Sequence, residues 1–234
     1  MIRCSAVFVL VHAICLGVEP SKADEPQEAG IWSSFTLGGD ADGVSMKTTG
    51  DTLQLTVPGE YRDLWPNHGK VNSPRVMKML SGDVVVQVCT DGDIDTAGQN
   101  RIEGLPSDTS PVFRAASLIL WQDAGNFIRL EHASAGSERT IHYCYYHVFQ
   151  DGRRVVHENR LFNDQPTQLR LERKDGVVRA AYRQGNDMEW HDLPEHSFVL
   201  ADGIFAGVSL VNTTTRPFAI DFRAFKIRSL NDDG

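Results

Sequence analysis

After residue 30 the apolar positions come in short runs rich in Val, Ile, Phe, Tyr and Thr, each closed by Gly, Asp, Asn or Pro. No window keeps apolar residues at helical spacing for three turns, so the pattern predicts an all-β domain. Strands are predicted at residues 52–57, 75–80, 83–90, 116–122, 126–132, 140–149, 153–158, 168–174, 177–183, 205–211 and 218–227. Turn chemistry joins several of them as hairpins, at Asp123-Ala124-Gly125-Asn126, Gln150-Asp151-Gly152 and Asp175-Gly176. Short strands punctuated in this way imply two packed antiparallel sheets.

Side-chain alternation assigns faces. A two-residue turn at Asp175-Gly176 puts Leu169, Leu171, Ala180 and Tyr182 on the core face and Arg170, Glu172, Arg179 and Arg183 on the other. The same parity about Ala124-Gly125 groups Ile119, Trp121, Ile128 and Leu130 against Leu118, Leu120, Gln122, Arg129 and Glu131. Two hairpins therefore present Arg and Glu on a sheet face. Exposed cross-strand ion pairs contribute only about 0–1 kcal/mol, so stability alone is a weak reason for such a ladder. The face is either plainly solvated or a ligand surface.

The amino terminus departs from this pattern. Arg3, an apolar run over 4–18, the breaker Pro20 and the small residues Ser21 and Ala23 form a secretory leader, predicting a signal peptide over 1–23 and one domain over 24–234. The run is about 15 residues long and falls short of the roughly 20 needed to cross a bilayer, so no membrane span is expected after cleavage. The expected destination is secreted or periplasmic. No linker or repeat divides the remainder. The chain carries 23 Lys and Arg against 31 Asp and Glu, a formal charge of −8. That balance argues against nucleic acid as a partner.

Cleavage would remove Cys4 and Cys15 and leave Cys89 and Cys144. In an oxidising compartment these two either form one bridge, closing a loop of about 55 residues, or stay as buried thiols. Asp91, Asp93 and Asp95 alternate through a loop in a spacing that suits calcium. The match to a twelve-residue calcium loop is incomplete, because Thr96 and Ile102 occupy the sixth and twelfth places. An acidic solvated loop is the other reading. No cofactor besides calcium is suggested. Asn212-Thr213-Thr214 is an N-glycosylation sequon.

The order of landmarks is specific as a set: Leu53-Gln54-Leu55-Thr56-Val57-Pro58-Gly59, Asp63-Leu64, Asn72-Ser73-Pro74-Arg75-Val76, the segment 81–88, Leu118-Ile119-Leu120-Trp121, the segment 126–131, Leu169-Arg170-Leu171-Glu172-Arg173 and Tyr182 to Trp190. Over residues 35–227 this series resembles the domain of unknown function family 1349, within the concanavalin A-like lectin and glucanase superfamily. The resemblance implies a two-sheet antiparallel jelly-roll sandwich whose concave sheet commonly forms the ligand surface, often for carbohydrate. It implies no known reaction. The turn before Trp190 departs from the family's Ser-x-Asp-Gly-x-x-Trp, and the segment over 90–111 reads as an insertion particular to this chain or its near relatives.

Sugar recognition needs flat aromatic faces and fixed hydrogen-bonding groups. Trp65 is the foremost platform, in the turn-rich loop Asp63-Leu64-Trp65-Pro66-Asn67-His68-Gly69 that also brings His68. Trp190 is a second, whereas Trp121 falls on the apolar face and Trp32 is read as core. Arg75, Gln122, Arg129, Glu131, Arg170 and Glu172 would supply the polar contacts. Glu131 and Glu172 are the carboxylates that adjacent hairpins would bring together, but their Arg neighbours suit binding better than proton donation. His142 and His147 lie in an aromatic strand and read as packing. No G-x-S-x-G, H-E-x-x-H or phosphate-binding loop is present. The leading expectation is an exported carbohydrate-binding module, with a glycoside hydrolase or lyase, or a protein-interaction or envelope-structural domain, as alternatives.

Overall fold

A computed structural model describes residues 30–103, 112–198 and 200–230. The expected leader and part of the 90–111 insertion lie outside the described residues. Short strands open the chain: β1 (Thr36–Gly38), β2 (Ser45–Thr49), β3 (Thr52–Val57), β4 (Leu64–Trp65) and β5 (Lys70–Val71). Longer ones follow: β6 (Arg75–Ser81), β7 (Val84–Asp91), β8 (Phe113–Trp121), β9 (Phe127–Ala135), β10 (Ile141–Gln150), β11 (Arg153–Leu161), β12 (Thr167–Lys174) and β13 (Val177–Gln184). The chain closes with β14 (His191–Asp192), β15 (His196–Ser197), β16 (Gly203–Asn212) and β17 (Phe218–Ser229).

Two antiparallel sheets result. One runs β1-β6-β16-β8-β9-β10-β11 and the other β14-β13-β12-β7-β17-β3-β2, with β15 beside β13. The core between them takes alternate residues: Val76, Leu118, Leu120, Ile128, Leu130, Tyr146 and Val208 from the first sheet face Leu53, Leu55, Val86, Val88, Leu169, Leu171 and Phe222 from the second. Trp32 joins this core beside Phe35 and Phe225, and its indole N–H donates to the Asp51 carbonyl. The jelly-roll expectation holds. So does the parity of the Asp175-Gly176 hairpin, where Leu169 pairs with Tyr182 and Leu171 with Ala180.

The other hairpin corrects its expected parity by one residue. Leu120 pairs with Ile128 and Trp121 with Phe127, so Leu118 and Leu120 are core while Ile119, Trp121, Arg129 and Glu131 share the outer face. The cause lies in the turn. The Asn126 carbonyl accepts from both Gln122 and Asp123 N–H, a bulge that inserts one residue. The Asp123 carboxylate accepts from the N–H groups of Gly125 and Asn126 and holds this shape.

The cysteines do not bridge. Cys144 points into the core, whereas Cys89 lies on the outer face of the eight-stranded sheet, between neighbours Gln168 and Arg223, and both thiols are free. A bridge would require one strand to turn its faces over. The sequon is also sealed. Asn212 is buried, its amide donating to the carbonyls of Pro58 and Arg216 and its oxygen accepting from the Thr214 N–H and hydroxyl, so the folded chain offers no glycan acceptor there.

Candidate ligand site on the seven-stranded sheet

Register places the outward side chains of the seven-stranded sheet in transverse rows. One row crosses Phe205, Trp121, Phe127, Phe149 and Arg154. The next crosses Met77, Gly207, Ile119, Arg129, His147 and His157, and the third Arg75, Ser209, Ser117, Glu131, Tyr145 and Asn159. Polar side chains in the second and third rows thus lie between an apolar patch around Trp121, Phe127 and Phe149 and another around Phe113, Ala133 and Tyr143. β8 is buried along its whole length, so this outer face is largely covered rather than solvated.

The cover is the segment between β3 and β6. Asn72 staples its base, accepting from the Asp63 N–H and donating to the Tyr61 carbonyl. Arg75 does the same from the sheet. Its guanidinium donates to the carbonyls of Val71 and Ser73 and lies over the Trp121 ring at 4.2 Å, and burial lowers its pKa to about 10. Leu64 is sealed against the apolar patch and Trp65 is half-buried beside it. Pro66–His68 then forms one 3-10 turn that ends at Gly69, where φ of 63° suits glycine.

A small cavity of about 60 Å³, open on one side, remains at the edge of this cover, lined by Asp63, Trp65, Phe113, Arg129, Tyr145, His147, Arg154, His157 and Thr213. Arg129 is its floor. The buried guanidinium stands 3.6 Å from Asp63 and 3.5 Å from Glu131, and its Nε donates to His147 Nδ1 at 3.1 Å. Glu131 lies beneath, fully buried, with one oxygen accepting from the Ser117 hydroxyl at 2.8 Å. Burial pushes its carboxyl above the usual range although Arg129 and Ser117 pull the other way.

The histidines form a directed chain. Arg129 Nε is only a donor, so His147 Nδ1 accepts and the His147 proton sits on Nε2, which donates to His157 Nδ1 at 2.8 Å. Arg154 also donates to that Nδ1, at 3.0 Å, which leaves His157 its Nε2–H. Burial first, and the neighbouring guanidinium groups after it, hold His147 well below the ordinary histidine pKa and lower that of His157. Both rings are therefore neutral hydrogen-bonding groups near pH 7. The guanidinium groups of Arg154 and Arg129 lie over Trp65 at 4.8 and 5.4 Å.

The expected site residues thus divide. Trp65 and Arg129 meet at the cavity, Glu131 supports them from below and Arg75 anchors the cover. Gln122 is used elsewhere, its oxygen accepting from the Ala201 N–H. Arg170, Glu172 and Trp190 lie on the opposite side of the molecule, on the outer face of the eight-stranded sheet, where Arg170 and Arg183 each stand 4.7 Å from the Trp190 ring. Glu131 and Glu172 therefore do not approach one another. The sequence offered no chemistry for Arg154 and His157, which share a face only because a bulge lets Phe149 pair with Arg154 while Val148 pairs with Val156. His147 reads correctly as buried, but it belongs to the site.

Asp91, Asp93 and Asp95 are each engaged within the fold. Asp91 pairs with Arg223 at 2.8 Å, Asp93 accepts from the Asp95 N–H, and Asp95 accepts from Ala97 N–H and the Thr140 hydroxyl. Among the described residues no three His, Cys, Asp or Glu side chains converge on a metal position. Nor is any described helix long and apolar enough to cross a membrane.

No family model matches the chain, and no curated protein matches its sequence. Solved structures do. A functionally unknown protein from Saccharomyces cerevisiae aligns with a TM-score of 0.66 at 13% identity, over 85% of this chain and 97% of that one. The GH43 BlXynB protein from Bacillus licheniformis aligns with a TM-score of 0.59 at 14% identity, over 83% of this chain but 36% of that one, so the chain spans about a third of its length. The exoplasmic/lumenal domain of VIP36, in its Ca2+/Man-bound form, aligns with a TM-score of 0.53 at 14% identity, over 86% and 85% of the two chains. These likenesses establish the fold alone, a two-sheet antiparallel jelly-roll sandwich of the concanavalin A-like kind.

Proposed function

We propose that this domain binds carbohydrate, at the cavity bounded by Trp65, Tyr145, Arg154 and His157. The observation that carries the reading is the pairing of aromatic surface with preset donors in one opening beside the covered part of the sheet face. Trp65 and Tyr145 supply apolar faces for ring carbons, and the Arg129, His147 and His157 chain fixes the direction of a donor for a hydroxyl or ring oxygen. The mannose-bound form of VIP36, on the same fold, supports this use of the architecture. The landmark series supports kinship with the domain of unknown function family 1349. The leader-like start supports export to an extracellular or periplasmic space.

Hydrolysis is less well supported. It needs two carboxylates that can both reach the substrate, yet among the described residues Asp63 is the one carboxylate lining the cavity, and Glu131 is sealed beneath Arg129. A glycan array probed with the full chain tests the binding reading. Retention of at least one glycan class is expected, weakened several-fold by Trp65→Ala and by His157→Ala. No retained glycan, or retention indifferent to both substitutions, defeats it.

A further inference from the structure

Arg154 differs from the other arginines around the cavity in having no acid to answer its charge. Arg129 faces Asp63 and Glu131, and Arg75 is committed to loop carbonyls. Among the described residues no carboxylate pairs with Arg154, whose one donated hydrogen bond goes to His157. Its guanidinium is exposed at the cavity mouth and lies over Trp65. The acceptor role of His157 Nδ1, shared by His147 and Arg154, leaves the His157 Nε2–H as a second uncommitted donor on the same lip. Donors without acceptors call for an oxyanion, and the planar fork of an arginine matches a carboxylate through two parallel hydrogen bonds. The chain as a whole carries −8, so this cationic lip is not a by-product of basic composition.

Resting on the carbohydrate reading, we propose that the ligand is an acidic sugar, its uronate carboxylate seated on the Arg154 guanidinium and the His157 Nε2–H while its ring lies toward Trp65. Asp63 and Tyr145, on the same wall, are left for the sugar hydroxyls. A sulfate ester offers related oxyanion chemistry, and the test separates the two.

Calorimetry with the full chain compares a panel of uronate trisaccharides, the same sugars after reduction of each carboxyl to an alcohol, and a sulfated neutral trisaccharide. At least one uronate is expected to bind about tenfold more tightly than its reduced partner, a difference of about 1.4 kcal/mol. Arg154→Gln is expected to abolish that preference with the melting temperature unchanged, since the side chain is exposed, and Arg154→Lys to restore part of it. Equal binding of uronates and their reduced forms overturns the acidic-sugar proposal and leaves carbohydrate binding standing. Binding of the sulfated sugar alone overturns the carboxylate assignment. Absence of binding by any sugar overturns both readings, and a preference that survives Arg154→Gln removes Arg154 from the site.

Discussion

On the outer face of the eight-stranded sheet Arg179 meets Glu172 and Glu195 at 3.1 and 3.0 Å, and Arg223 meets Asp91 and Asp221 at 2.8 and 2.9 Å, all of them partly or largely in water. On the outer face of the seven-stranded sheet the same residue types are Arg129, Glu131 and Asp63, but there Arg129 is 2% exposed and Glu131 not at all. The distances run in the opposite sense to the burial. The buried Glu131 and the half-buried Asp63 stand 3.5 and 3.6 Å from Arg129, and Arg129 Nη1 and Glu131 Oε2 have no hydrogen-bond partner. In water such slack costs little, whereas in a covered face every unmet polar atom is expensive. What sets this charged sheet face apart is therefore the β3–β6 cover. It removes water from Arg129 and Glu131, leaves Arg154 and His157 at the rim, and fixes the histidine chain between them.

The sharpest way to break this comparison is Arg129→Met. Loss of one partner leaves Glu131 buried without compensating charge, and the expected cost is about 3–5 kcal/mol in urea unfolding. The double variant Arg129→Met with Glu131→Leu is expected to recover most of that loss, because two apolar side chains replace the pair. If the single variant costs no more than an exposed pair does, the cover does not exclude water and the contrast between the faces disappears.

Burial also sets the pH response. His132, on the core side of β9, accepts or donates through Nδ1 with the Thr90 hydroxyl, and burial drives its pKa down to about 3. The unfolded chain takes up that proton near pH 6.5 while the folded chain does not, so stability from His132 is present above that pH and is lost as pH falls. The loss is about 1.4 kcal/mol per pH unit between about 6.5 and 3. His147 acts in the same direction, and the raised carboxyl of Glu131 acts against both, its contribution being lost as pH rises. Relative to the wild type, His132→Gln is expected to improve by about 2 kcal/mol between pH 7.5 and 5. A constant difference across that range would mean that water reaches the ring.

The sandwich and most strand positions were legible because alternation and turn residues are local signals. The hairpin at Asp175-Gly176 kept its parity because nothing interrupts its ladder. At residues 122–126 an extra residue enters the turn, and one slip moved Leu118 and Leu120 from the expected polar face into the core. The site suffered more from the same effect. Trp65 and Arg129 stood out by residue type, but Arg154 and His157 are three apart and share a face only through the bulge opposite Val148 and Phe149. Hairpin parity groups Arg170 and Glu172 with them, and residue type adds Trp190, although strand order puts all three on the other sheet. Non-local pairing carries that information, and a single sequence does not print it.

The smallest expected effect sharpens the comparison from the other side. Arg179→Ala on the eight-stranded sheet removes two ion pairs whose partners remain in reach of water, so neither Glu172 nor Glu195 is stranded. Solvent screening and the freedom regained by the long side chain leave a change of about 0–1 kcal/mol in urea unfolding. Sugar retention is expected to be unaltered, since no part of that ladder touches the cavity. A loss comparable to that of Arg129→Met would show that exposure does not distinguish the two faces, and a change in retention would put a ligand on the eight-stranded sheet, where Trp190 lies beside Arg170 and Arg183.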